Sequence, residues 1–358
     1  MVGDVNGLLE RALEAFGQHE EQRAMESLLL AWWESRSERL AALVERLSAR
    51  IDAWPLPSRK RPSPPPFEDV PRDYFILMAY AREGNVDAVI RQLGMLGYGS
   101  PDPRLTPVLM ELSRLPIGRE GPIVQGLCGP LLFLKDPRTL ELLRALSTSR
   151  HVEDEHADAL KGLIEKMTAQ PPPPLAEETQ ARVGALEAAL DARASAEASS
   201  APLREELLAR VYSRPDDDDA RLVLADHLLE HGDAAGEFIV LQCSPHSDEK
   251  RIWELQGHHR RTWEAPLGPY VRDGLTRFER GFPVAVRMNF DLFHSPAVLT
   301  PAGPAWGTVR EISWSHTLTQ AALVTSLEWL KSPYLRGVTA TGNVHPEIAR
   351  RLRDWTTR

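Results

Sequence analysis

The residues whose types and spacing could do chemistry are concentrated between Asp216 and His259. Asp216-Asp217-Asp218-Asp219, followed by Asp226, Glu230, Asp233 and Glu237, supply enough carboxylates for a cation site. The run lacks the alternating acids, the glycine and the closing glutamate of a calcium loop. At a helix start the same acids satisfy unpaired amides and the helix dipole, and that is the reading preferred for them. His227 and Glu230 share one helix face, a pairing too common to indicate catalysis. His258 and His259, beside Arg260 and Arg261 and after His246, would point about 100° apart on a helix and chelate one ion poorly. Cys128 and Cys243 have no neighbour at ligand spacing and do not form a disulfide framework. No phosphate loop, nucleophile elbow or zinc spacing is read, so no catalytic, cofactor-binding or metal residue is assigned, and no cofactor is expected.

The chain that must position these groups has 358 residues, 42% apolar and 26% charged, with a net charge of −9. That is ordinary globular composition with room for two or three domains. The acidic balance argues against nucleic acid as the main partner. Arg59-Lys60-Arg61 is the one dense basic run and falls in a proline-rich stretch. The start, Met1-Val2-Gly3-Asp4, lacks a basic and apolar leader, and no apolar run approaches the roughly 18 residues of a membrane span. A cytoplasmic protein that does not enter membranes is expected.

Helical spacing organises the first half. Leu8, Leu9, Ala12, Leu13 and Phe16 form one stripe; Leu28, Leu29, Trp32 and Trp33 the next; Leu40, Leu43, Val44, Leu47 and Ile51 a third. Six prolines between Trp54 and Pro66 predict an extended linker. Helices are expected again over Tyr74–Leu96 (broken at Gly84), Leu105–Leu115, Ile123–Leu134 and Thr139–Leu146. Asp102-Pro103 and Asp136-Pro137, 34 residues apart, each provide an N-cap followed by a first-turn proline. This layout fits helix pairs stacking as a HEAT-like solenoid, with an irregular bundle as the alternative. After Pro171–Pro174, Leu175 to about Ala194 reads as a helical spacer with a weak apolar face, closed off by Ser195, Ser199 and Ser200.

From Leu203 the pattern is more distinctive. Leu203, Leu207, Leu208 and Val211 make a helix face that Ser213–Asp216 ends. The acids start a second helix with a stripe of Leu222, Val223, Ala225, Leu228 and Leu229. His231-Gly232-Asp233 closes it, and Phe238, Ile239 and Leu241 begin a third. With its Asp-rich start, the Arg221–Asp226 run Arg-Leu-Val-Leu-Ala-Asp, the Gly232-Asp233 turn and the ending Gly236-Glu237-Phe238-Ile239-Val240-Leu241-Gln242, the segment resembles the bacterial repeat-companion domain family. His227 departs from the family's tryptophan, so the packing there is expected to differ. The resemblance covers about 40 residues and implies partnership with leucine-rich or helical repeats, without enzymatic activity. Phe278-Glu279-Arg280-Gly281-Phe282 with Val284–Met288 looks like the first strand that follows such a domain. Trp306–Ile312 and Leu330–Val338 are similar to degenerate leucine-rich-repeat units.

The sequence therefore predicts a mainly α chain. A helical-repeat domain spans 1–168, a linker and spacer helix 169–202, a repeat-companion helical domain 203–275, and a short α/β leucine-rich-repeat-like cap 276–358. The function expected is a non-enzymatic adaptor or scaffold that binds another protein, for which a basic surface is the complement of this acidic chain. An immunity or antitoxin-like protein that masks a toxin, and an enzyme with an unrecognised site, stand as alternatives. Of the nine tryptophans most are expected in packing and a minority as exposed interface anchors.

Overall fold

The protein is described from a computed structural model covering residues 4–51, 70–96, 101–268, 271, 274–288, 302–314, 323, 326–327, 329–335 and 337–356. The proline-rich linker expected between Trp54 and Pro66, with Arg59-Lys60-Arg61, lies outside the described residues. The chain is mainly helical with a small four-stranded sheet at its C-terminal end. It divides into two compact units, with the boundary between Arg193 and Ala194. Among the described residues, no helix is long and apolar enough to cross a membrane.

The first unit opens with α1 (Val5–Gly17), α2 (Glu21–Ser35) and α3 (Glu38–Ile51), whose leucine stripes, with Phe16 and Trp32, enter one core. Then come α4 (Val70–Arg82), α5 (Val86–Leu96), α6 (Leu105–Arg114), α7 (Gly121–Leu134), α8 (Leu140–Ser147) and α9 (Asp154–Ala169). These six stack in two layers. Helix α4 packs on α6 and α6 on the turn that opens α8, while α5 packs on α7 and α7 on α9. Layered helix pairs of this kind are what a repeat array builds, since each pair completes its core on its neighbours.

The Asp-Pro spacing reappears as a repeated side-chain motif, Asp-Pro-Arg. Asp102 accepts from the backbone N–H of Arg104 (2.9 Å) and from its guanidinium (Nη2 to Oδ2, 2.7 Å). Asp136 does the same with Arg138, at 3.0 and 2.7 Å. Both arginines reach back to α3: Arg104 donates to Ser48 Oγ (2.8 Å) and Arg138 to Glu45 Oε1 (2.6 Å). Successive repeats are also tied to each other, because Thr106 Oγ1 donates to Asp136 (2.7 Å) and Arg138 to the carbonyl of Pro103 (2.8 Å). Charge-assisted, forked bonds of this kind fix geometry more tightly than neutral ones.

One expectation is corrected. Leu175 to Ala194 is no spacer: α10 runs unbroken over Glu177–Ser213, and Val183, Leu186 and Leu190 are buried in the core of the first unit. The serines do not stop it, because Ser199 and Ser200 donate their hydroxyls to the carbonyls of Ala196 (2.7 Å) and Glu197 (3.1 Å) inside the helix. Helix α10 is further held within the first unit by Arg182 to Glu10 and by Arg193 to the carbonyl of Phe16, both at 2.6 Å.

The second unit contains the rest of α10, then α11 (Asp218–Glu230), α12 (Ala234–Cys243) and α13 (Glu249–Glu264). Strands β1 (Arg277–Glu279), β2 (Phe282–Met288), β3 (Glu311–Trp314) and β4 (Thr339–Gly342) form the sheet in chain order, and α14 (Pro346–Thr356) follows. Strands β1 and β2 make an antiparallel hairpin, whereas β2, β3 and β4 are parallel. The register pairs Ala285 with Glu311 and Glu311 with Thr339, separations of 26 and 28 residues. Each later strand is preceded by a 3-10 turn, Pro304–Thr308 or Pro333–Leu335. Trp306-Gly307-Thr308 belongs to the first of these turns, not to a strand, because Pro304 starts a tight turn there. Beneath them Trp306 packs edge-on against Trp329 at 4.6 Å and donates its indole N–H to the carbonyl of Leu267 (3.0 Å).

The repeated Asp-Pro-Arg knots yield a prediction. Asp136→Ala strands the half-buried Arg138 guanidinium and is expected to cost about 3 kcal/mol. Thr106→Val removes a single bond and should cost about 1 kcal/mol. Urea titration read by circular dichroism checks both, and equal losses would count against the network.

Candidate functional site

The segment Asp216–Gln242 folds around one buried cation. Arg221, on α11, is 1% exposed. Its guanidinium donates to the carbonyl of Arg280 (2.8 Å) and to the carbonyl of Pro215, and lies 4.9 Å from the centre of the Phe282 ring. Burial, and then the positive charge of Arg280, pull it below the ordinary arginine pKa, yet an arginine so shifted stays charged. The acids at the start of α11 bind the arginines beside it, and Asp218 also stands 3.8 Å from Arg221 Nε. Asp218 accepts from Arg280 (3.0 Å), and Asp216 accepts from Arg280 (3.2 Å) and from Arg310. Asp217 caps α11 by accepting from the amide of Ala220 (3.1 Å). The helix-capping expectation thus holds for Asp217, while its two neighbours bind the arginines beside the sheet.

The other motif residues close α11, seat α12 against it and, through Gln242 and Ile239, reach the same hairpin. At the end of α11, Asp233 N–H donates to the carbonyl of Leu228 (2.9 Å) and Gly232 N–H to that of Leu229 (3.0 Å), with Gly232 at φ 71°. This is the left-handed closure expected there. Gly236 lets α12 cross α11 closely: a Cβ at 236 would lie 2.6 Å from the carbonyl oxygen of Ala225. Gln242 accepts from the Gly281 N–H at 2.7 Å. Gly281, at φ 85°, sits against Ile239, where a Cβ would come within 2.2 Å of Cγ1. Leu207, Val211, Leu224, Ala225, Leu228, Ile239 and Phe282 form the core so enclosed, and Tyr212 meets Phe282 edge-on at 6.0 Å. Burial raises the Tyr212 hydroxyl to about 12 and pushes the Cys243 thiol up.

The buried stripe of α11 differs from the one expected. Arg221, Leu224, Ala225 and Leu228 face inward, while Leu222 (39%), Val223 (52%) and Leu229 (47%) are exposed. Once a charged residue occupies the centre of the buried face, the helix is rotated and three apolar side chains move to its outside. Leu222 and Leu229, seven residues apart, share one flank, and Leu229 lies beside Gly236 at the crossing with α12. Val240, one turn after Gly236 on α12, is also exposed. Val223 sits among Asp219, Asp226 and Glu230, which lie within one arc of the helix. None of these three acids has an ion pair among the described residues.

At the end of the same helix His227, Glu230 and His231 bring one ligand atom each within 4.8 Å of one another. The spacing His-x-x-Glu-His is a known zinc-ligand spacing, a signal that pairing His227 with Glu230 alone passes over. His258 and His259 have ring centroids 6.3 Å apart; His258 bonds the carbonyl of Glu254 (2.8 Å) and His259 stacks on Trp263 (5.6 Å). Trp33 and Trp253 are exposed, whereas Trp32, Trp306, Trp314 and Trp329 are buried. Comparison with protein-family models, curated proteins and solved structures finds no match.

Two substitutions test the lock. Arg221→Lys keeps the charge but cannot span both carbonyls, and is expected to cost about 3 kcal/mol. Gly281→Ala combines backbone strain with a collision and is expected to cost about 2 kcal/mol. Tryptophan fluorescence in a denaturant titration measures both, with near-neutral values contradicting the assignment.

Proposed function

We propose that this chain is a non-enzymatic adaptor whose second unit binds another protein through the outer face of α11. The observation that carries the proposal is the composition of that face. Leu222, Val223 and Leu229 are exposed on a helix whose surface acids, Asp219, Asp226 and Glu230, have no ion pair among the described residues. Apolar side chains ringed by acids suit an amphipathic segment carrying apolar and basic residues, with charge guiding approach and apolar burial holding it. The chain's net charge of −9 favours the same class of partner.

In this reading α11 and α12 are a repeat-companion domain, and the hairpin held by Arg221 and Gln242 starts a short leucine-rich-repeat-like array. Support comes from the motif residues themselves, since Arg221, Ile239 and Gln242 meet the hairpin while Gly232 closes α11 and Gly236 lets α12 cross it. The parallel separations of 26 and 28 residues fall within the period of about 20–29 residues of leucine-rich repeats. The layered helices of the first unit are read as HEAT-like repeats for the same structural reason.

The test is site-specific photo-crosslinking in the native host, with a photoreactive residue at Val223 and a control at exposed Trp253. A discrete partner captured from 223, through a peptide with basic and apolar residues, is expected. Asp226→Lys in the full chain should lower that capture about tenfold, the equivalent of about 1.4 kcal/mol. Equal capture from both positions, capture of a second copy of this chain, or insensitivity to Asp226→Lys would overturn the reading.

A further inference from the structure

We propose that His227, Glu230 and His231 form a binding site for a borderline divalent transition metal, zinc being the type case, at the C-terminal end of α11. Successive residues on a helix turn by about 100°, so His231 lies about 40° to one side of His227 and Glu230 about 60° to the other. The three side chains therefore rise from one face over a single turn, and their nearest ligand atoms all lie within 4.8 Å of each other. Zinc at about 2.0–2.1 Å from imidazole nitrogen and carboxylate oxygen needs its ligands about 3.3 Å apart, a closure that small side-chain rotations supply. The two rings already stand close, with centroids 4.4 Å apart and planes inclined at 44°.

A second observation concerns protonation. Nδ1 of His231 is 2.7 Å from the carbonyl oxygen of His227. A carbonyl oxygen only accepts, so Nδ1 carries the hydrogen and the neutral ring leaves the Nε2 lone pair for a metal. Ligating histidines characteristically hold their other ring nitrogen this way, which fixes tautomer and ring direction. The site also sits where the helix dipole favours a cation. His227 is largely buried and therefore held by its surroundings, whereas Glu230 and His231 are exposed and free to close on an ion. Two imidazoles and one carboxylate give a three-ligand set with room for a further ligand from the solvent side.

The full chain, stripped with a chelator, is titrated with cobalt(II) under visible absorption and with zinc(II) in a calorimeter. One equivalent is expected, with cobalt bands displaced by zinc. His231→Ala should weaken zinc binding about a hundredfold and Glu230→Gln about tenfold, each tenfold being about 1.4 kcal/mol. Both positions are exposed, and circular dichroism verifies that the variants are folded. Saturating zinc should raise the melting temperature of the unsubstituted chain and leave that of His231→Ala unchanged. Nitrogen-15 spectra should show Nε2 of His231 shifting on zinc addition while Nδ1 keeps its proton. The proposal is overturned if the chain fails to bind either metal at about 100 μM, or if both variants bind as tightly as the unsubstituted chain. These readouts need no protein partner, so they stand or fall separately from the adaptor reading.

Discussion

The second unit depends on placing a guanidinium where an apolar side chain would normally be. Burying an arginine is costly unless every donor is directed at something, and unpaired it would destabilise the fold outright. Arg221 directs its two terminal nitrogens at backbone carbonyls and lies over a ring face, while its Nε, without a hydrogen-bond partner among the described residues, stands 3.8 Å from the Asp218 carboxylate. Its two carbonyl partners belong to Pro215, just before α11, and Arg280, in the turn between β1 and β2. One side chain therefore sets where the helix begins and where the hairpin lies against it. Gln242 and Gly281 complete the constraint from α12, and from β2 onward the parallel strands follow by backbone pairing.

The first unit achieves a comparable result by repetition. Each Asp-Pro-Arg knot is local, with the carboxylate gripping an arginine two residues on, but the free end of each arginine reaches α3. A carboxylate that both caps a turn and orients a long cation links local conformation to the packing of a distant helix. Because Thr106 bonds to Asp136 and Arg138 to Pro103, neighbouring repeats cannot slide without breaking charge-assisted bonds. The apolar core alone, being non-directional, would not fix that register.

Much of this was legible in the sequence, and the failures have physical causes. The Asp-Pro pairs announced the turns ahead of α6 and α8 because such turns are local, but Asp102 is not the N-cap of α6, which starts at Leu105 after Arg104, and Asp136 caps the 3-10 turn before α8. Arg104 and Arg138 were not flagged, since nothing local shows that a first-turn arginine folds back on its own cap. Helix α10 was cut short because serines count against a helix one residue at a time, whereas here their hydroxyls bond within it, and it was taken for a spacer because nothing local shows that Val183, Leu186 and Leu190 are buried against other helices. The face of α11 was misplaced by about a quarter turn because hydrophobicity alone assigned it, and Arg221 was ranked with the surface. Gly232 as a closing residue was readable from its neighbours. That Gly281 must be glycine was not, because its constraint is the side chain of Ile239 on another element.

That quarter turn bears on function. Since Arg221 grips backbone carbonyls, the identities of Leu222, Val223 and Leu229 do little for the lock, and solvent exposure gives them no core to fill. A soluble surface gains by replacing such residues with polar ones unless something covers them. The neighbouring acids point the same way, because Asp216, Asp217 and Asp218 have internal partners whereas Asp219, Asp226 and Glu230 lack an ion pair among the described residues. The helix therefore separates its duties by face. The inward side fixes the architecture through one cation, and the outward side presents apolar and acidic groups that the lock does not use.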